Sequence, residues 1–278
     1  MRLTSLLLCS LAWLAGCAPL ATAPQGAAFT ARARHALLPA DVLLLGEQHD
    51  APQHQQWERA TVQWLAQRGQ LAALVMEMAE QGRSTQGLAP DASEAAVQSA
   101  LYWSDATWPW ADYGPVAMAA VRAGVPVLGG NLPRKQINTA LADASLHERL
   151  PAGAWERQLQ AVRAGHCELL PEKMLPGMVR VQIARDVRMA QTAAAAAATR
   201  QPGQVVVLVT GAGHAKRSLG VPLHLPPDLV SKVAIAQAGK ALEAIATEAD
   251  WVHYTEALAP RDVCAQLRQQ WPAQRPAP

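Results

Sequence analysis

The run Val42-Leu43-Leu44-Leu45-Gly46-Glu47-Gln48-His49-Asp50 sets the architecture, because four apolar residues without polar alternation lead straight into acid, amide and imidazole. A strand buried on both faces reads this way, and such strands belong to parallel sheets covered by helices. Three further runs repeat the pattern, Leu74–Met76, Val125–Leu128 and Val205–Val209, each rich in Val or Leu. Between them, Pro52 to Arg68 carries Trp57, Ala60, Thr61, Trp64 and Leu65 at helical spacing. Pro115 to Ala123 has a Pro near its first turn and Gly124 just past its end. Strand and helix alternate, which predicts an α/β fold with a parallel β-sheet flanked by helices.

Beyond this frame, the chain from Leu128 to Val205 lacks a convincing strand and holds helical segments at Arg134–Leu141, Ala152–Ala164 and Met178–Thr199. That is too much helix for one crossover, so a smaller helical subdomain inserted at about 133–200 is expected. The Ala193 to Ala198 tract continues the last of these helices, since Ala is the best helix former. Val233–Ala236 and Trp251–Tyr254 are read as edge strands, and 271–278 as a loose, Pro-rich tail.

Composition bounds the function. The chain has 278 residues, half of them apolar and 17% charged, enough to bury a sizeable core. Its charge, 24 minus 22 or +2, offers no basic surplus for binding nucleic acid. A mean hydropathy of +0.01 excludes a polytopic membrane protein. At the N-terminus, Met1-Arg2 precedes the mostly apolar run Leu3 to Leu14, shorter than the roughly 20 residues a bilayer span needs. This reads as a signal peptide over 1–16. Leu14-Ala15-Gly16-Cys17 resembles the bacterial lipobox, which predicts lipidation at Cys17, while an ordinary small-residue cleavage site is the alternative. Ala18 after that Cys points to the outer membrane of the cell envelope. A flexible tether would occupy 17–30, and the α/β domain 31–270. Cys9 would be removed and Cys17 lipidated, leaving Cys167 and Cys264 either paired or as free buried thiols.

The chemistry gathers where the apolar runs end. Leu45 leads to Glu47 and His49, Met76 to Glu77, Leu128 to Gly129-Gly130-Asn131, and Val209 to Thr210-Gly211-Ala212-Gly213-His214. Open parallel sheets bind ligands outside the carboxyl ends of their strands, so these side chains should face one crevice. Carboxylates and imidazoles gathered there suit a metal site or acid–base work. Gly211-x-Gly213 is not a dinucleotide turn, because Lys216 stands where a third Gly is needed. Walker A, Gly-x-Ser-x-Gly and Cys-x-x-Cys patterns are absent from the sequence.

Six strings together resemble the ChaN-type haem-binding lipoproteins. They are Gly46-Glu47-Gln48-His49-Asp50, Trp110-Ala111-Asp112-Tyr113-Gly114-Pro115, Asn131-Leu132-Pro133-Arg134, Gly165-His166-Cys167, Ala184-Arg185-Asp186 with Met189-Ala190, and Gly211-Ala212-Gly213-His214 with Gly220-Val221-Pro222. The resemblance implies a role in haem and iron uptake, haem held where two subunits meet, a Tyr on the iron, and His and Lys on the propionates. An outer-membrane haem receptor is an implied partner. For the iron ligand, Tyr113 beside Trp108 and Trp110 is the first choice and Tyr102 the runner-up, with His166 as a substitute. His166 and Lys173 are the propionate candidates, with Arg134 and Lys135 as alternates. Arg185 and Asp186 are read as a structural pair. The Gly-Glu-x-His and Gly-x-Gly-His strings also resemble the wider superfamily of metal-dependent TIKI proteases and erythromycin esterases. In that reading Glu47, His49 and His214 hold a divalent metal or activate water, with Glu77 assisting.

Overall fold

The computed structural model describes residues 28–240 and 242–270. The signal segment 1–16, Cys17, residues 18–27 of the tether and the 271–278 tail lie outside the described residues. In chain order the elements are α1 (Ala31–Leu37), β1 (Val42–Glu47), α2 (Pro52–Ala66), β2 (Leu71–Glu80), α3 (Glu94–Leu101), α4 (Trp110–Val121), β3 (Val127–Asn131) and α5 (Ile137–Ala142). There follow α6 (Ala154–Gly165), α7 (Leu175–Ala198), β4 (Val205–Gly211), α8 (Ala212–Ala215), β5 (Ser231–Ala238), α9 (Glu243–Ala246), β6 (Trp251–Thr255) and α10 (Val263–Gln270).

Among the described residues, six strands form one parallel sheet in the order β3-β2-β4-β1-β5-β6. Every residue of the central β1 and β4 is buried, as their unbroken apolar runs require. The chain leaves β1 toward β2 and β3, returns to insert β4 between β1 and β2, and then winds the other way through β5 and β6. A crevice opens where such a winding reverses, at the strands' carboxyl ends. Register places Glu47 of β1 opposite Gly211 of β4.

The two faces carry separate apolar layers. Leu37, Trp57, Leu65, Leu101, Val116 and Val121 from α1 to α4 cover one face, and Met189, Ala190, Ala193 and Ala197 of α7 cover the other. Alanines at the contact bring α7 close against the sheet. The N-terminal half of α7 packs elsewhere. Its Leu175, Val179 and Ile183 share a cluster with Val162 of α6, while Val181 and Ala184 meet Leu132 and Ala140. Cys167 and Cys264 form a disulfide, with Cα atoms 5.5 Å apart, that ties α10 to the loop after α6.

β2 and β3 run further toward the carboxyl side than the expected Leu74–Met76 and Val125–Leu128, and β5 and α4 differ in placement. β5 is an interior strand, flanked by β1 and β6, and its consecutive buried residues Val233, Ala234, Ile235 and Ala236 are covered on both faces. The edges are β3 and β6. Helix α4 starts at Trp110 rather than Pro115, with Asp105 accepting the Trp110 N–H (2.7 Å), one of the first-turn donors that have no partner inside the helix. Pro115 then sits inside the helix, where burial of Trp110 and Tyr113 offsets the hydrogen bond its ring removes.

Candidate functional site at the carboxyl ends of the strands

Glu47 closes β1 with a buried carboxylate that is fully partnered. One oxygen accepts from the Tyr113 hydroxyl (2.7 Å) and from His49 Nδ1 (2.8 Å), and Gln55 of α2 donates to the other. His54 Nδ1 accepts the Gln48 N–H (3.0 Å), fixing the loop between Glu47 and α2. Burial and the nearby His253 hold His54 down at about 4, so it stays neutral in that acceptor role. Behind Glu47, burial and the Glu47 charge hold the carboxyl of Glu58 well above the usual range, which keeps it uncharged.

Glu77 of β2 is the second buried carboxylate. Its Oε2 accepts from the Thr210 hydroxyl (2.7 Å) and the Gly211 N–H (2.8 Å), and its Oε1 lies 3.6 Å from His214 Nε2. His214, on the short α8, turns its Nδ1 to Asp186 of α7 at 2.6 Å. Burial alone would keep Glu77 protonated. The charges of His214 and His49, with the Gly211 and Thr210 hydrogen bonds, outweigh it and bring the group down to about 2. For His214, burial is outweighed by Asp186 and Glu77, which raise it to about 9. Asp186 is pushed up to about 6, burial dominating the pull of His214.

His49 is the solvent-facing member, with 41% of its side chain exposed. Burial opposes its charged form, yet the Glu47 hydrogen bond and the Glu77 charge raise its pKa against that cost, with His214 opposing. Its ring meets Trp108 edge-on with centroids 4.9 Å apart. Gly211 has to be bare here: a Cβ would lie 2.8 Å from His49 Nε2. Two imidazoles, each anchored through Nδ1 to a carboxylate, therefore flank Glu77, an arrangement suited to moving protons. Among the described residues, no group of three or more His, Cys, Asp or Glu side chains is arranged to hold a metal ion.

Beside this cluster lies a cavity of about 580 Å³ whose lining includes Glu77, Tyr102, Trp103, Trp108, Arg134 and Arg185. Its volume and aromatic wall are those of a small-molecule site. Tyr102 caps α3 in the left-handed region (φ 52°, ψ 46°), where Gly or Asn is the ordinary choice. The residue is 73% exposed, and the Arg83 guanidinium lies over its ring, 4.7 Å from the centroid. Tyr113 is 1% exposed, and burial, with the Glu47 charge and hydrogen bond, pushes its phenol far above the ordinary range. That placement disagrees with Tyr113 as an iron ligand, since its oxygen is committed to Glu47 and a buried phenol resists ionisation. Tyr254, half-exposed, lies on the edge strand β6, across β4, β1 and β5 from the cavity's strand β2.

Glu47, His49, Glu77 and His214 are thus brought together, whereas His166 and Lys173 are placed elsewhere. His166 lines a separate cavity of about 190 Å³ with Lys216, on another side of His214, and Lys173 is exposed in the turn before α7. Gln55, Thr210 and Asp186 are site residues that spacing alone does not reveal. Asp186 stands in one of the strings that carry the resemblance, but its partner is His214 rather than Arg185. A third cavity, about 1040 Å³, opens at the strands' opposite ends around Asp41, Arg200 and Val230.

A profile of the family described as haem-binding uptake, Tiki superfamily, ChaN matches residues 34–225. The chain belongs to this ChaN family. A structure of ChaN of Campylobacter jejuni with cofacially bound haem is 23% identical, covering 77% of this chain and 86% of that one at a TM-score of 0.60. The two share the α/β fold. An erythromycin esterase mutant in its open conformation is more distant, 12% identical over 74% of this chain and 72% of that one at a TM-score of 0.41. No curated protein matches the sequence significantly.

Proposed function

We propose that this ChaN-family protein binds haem in the aromatic cavity, with the Tyr102 phenol as iron ligand. The observation that carries this reading is the placement of Tyr102, an exposed phenol held in a costly backbone conformation at a cavity walled by Trp103 and Trp108. The donor set fits: an accessible phenol for iron, aromatic faces for a flat ring, and Arg134 and Arg185 for carboxylates. Haem here is cargo, and the chain's part is to hold and shield it.

His166 and Lys173 lie outside the cavity and would reach a ligand in it only from a second copy of the chain, which agrees with haem held between two subunits. Lipidation at Cys17 would tether the 31–270 domain through the 17–30 spacer to the cell envelope, on the outer membrane, with delivery to an outer-membrane receptor. A haem titration of the protein from Cys17 onward, run with a mass measurement, tests the reading. A shifted Soret band, a phenolate charge-transfer band and conversion to dimer are expected. Absence of any Soret shift refutes it, and a band that survives Tyr102→Phe refutes the ligand assignment.

A second reading, a hydrolytic crevice using Glu47, His49 and His214 with Glu77, is favoured by the two carboxylate-anchored imidazoles on either side of Glu77. In it His49 takes a proton from the water that bonds to the carbonyl carbon, and protonated His214 gives one to the alcohol or amine that leaves as its bond to that carbon breaks. Ester or amide hydrolysis that is lost in both His49→Ala and His214→Ala supports it; hydrolysis indifferent to both, or none at all, removes it. Metal analysis of the purified protein tests the divalent-metal form of the same reading.

A further inference from the structure

Arg185 sits half-buried on α7 and lines the same cavity as Tyr102, Trp103 and Trp108. Among the described residues its guanidinium has no hydrogen-bond or ion-pair partner. Asp186 next to it turns to His214, so the adjacent acid feels the Arg185 charge but makes no hydrogen bond or close ion pair with it. A guanidinium drawn away from water costs free energy unless an anion meets it, and its planar fork matches a carboxylate. The acids on the cavity wall are already engaged: Glu77 faces His214, and Glu80 accepts the Arg134 backbone N–H (3.0 Å). Arg134 donates to Thr107 (2.9 Å) and is partly committed. Of the two arginines that line the cavity among the described residues, Arg185 is the one whose guanidinium makes no hydrogen bond or ion pair.

We infer that Arg185 is the carboxylate-binding residue of this cavity, and that the cavity selects a flat, apolar ligand bearing a carboxylate. This rests on the cavity being the ligand site, and it replaces Lys173 and His166 as the first contact of a haem propionate within one subunit. The aromatic wall would take the ring, and Arg185 the acid at its rim.

Metal-free protoporphyrin IX and its dimethyl ester separate this inference from iron ligation, because neither carries iron for Tyr102 to bind. Quenching of tryptophan fluorescence reports both. The wild-type protein is expected to bind the diacid about 10- to 100-fold more tightly than the diester, the range for a charge-assisted hydrogen bond. Arg185→Gln and Arg185→Met should bind both porphyrins as weakly as wild type binds the diester, with Arg185→Lys recovering part of the preference. The comparison within the wild-type protein needs no variant to fold. Equal wild-type affinity for diacid and diester, or full preference retained in Arg185→Gln, overturns the inference and leaves the haem reading standing. Binding of neither porphyrin overturns the cavity reading and the inference together.

Discussion

Glu77→Gln separates the charge of the central carboxylate from its shape. Gln can still accept the Gly211 N–H and Thr210 hydroxyl bonds made at 2.8 and 2.7 Å, but it carries no charge for His214 or His49. Glu77 titrates at about 2, against 4.5 for an ordinary glutamate. At about 1.4 kcal/mol per pKa unit, that depression corresponds to about 3 kcal/mol favouring the ionised folded state. Because Glu77 is 2% exposed, solvent screening removes little of it. A depressed folded pKa stabilises above the unfolded value and loses that contribution as pH falls through the folded one. Urea unfolding followed by tryptophan fluorescence should therefore show wild type about 3 kcal/mol more stable than Glu77→Gln at pH 7. The gap should close between pH 4.5 and about 2. The His214 ring resonance, followed by NMR, should titrate below about 9 in the variant, since Glu77 is one of the charges that raises it. A stability gap that stays constant from pH 7 to pH 2, or an unmoved His214 titration, would refute the electrostatic account.

The sign reverses at His214, whose pKa is raised from 6.5 to about 9. Wild type should hold its full advantage over His214→Gln below pH 6.5 and lose it as pH rises through about 9, read by the same unfolding curves. Tyr113→Phe removes a donor from buried Glu47 and should cost about 1–3 kcal/mol while sparing any haem charge-transfer band. Tyr102→Phe should do the opposite, leaving stability near wild type and abolishing the band. Replacing Cys167 and Cys264 by Ser opens a cross-link of sequence separation 97. Loop entropy sets the expected loss at no more than about 5 kcal/mol, with thermal unfolding as the measure.

Much of the frame was legible in the sequence because burial on both faces leaves a one-dimensional trace. Unbroken runs such as Val42–Leu45 and Val205–Val209 announce parallel strands, and the polar residues at the end of each run announce the wall of the crevice. The start of α4 was not legible, since Asp105, five residues before Trp110, takes a first-turn N–H of a helix that Pro115 argues against. Nor was the interior position of β5, because strand order is settled by which sheet edge remains open after β4 inserts.

Local pattern and the order of the runs were enough for the parallel α/β class and the convergence of Glu47, His49, Glu77 and His214, and six short strings carried the resemblance to ChaN. Which tyrosine is available, and which charges are left unmatched, came from the folded chain alone. Tyr113 and Tyr102 look alike in a string of letters, yet one donates to a buried carboxylate and the other stands open at a cavity. Arg185 and Asp186 look like a pair, yet Asp186 turns to His214 across the space between α7 and α8. Hydrogen bonding and desolvation depend on neighbours distant in sequence, so availability is a property of the fold rather than of the residue.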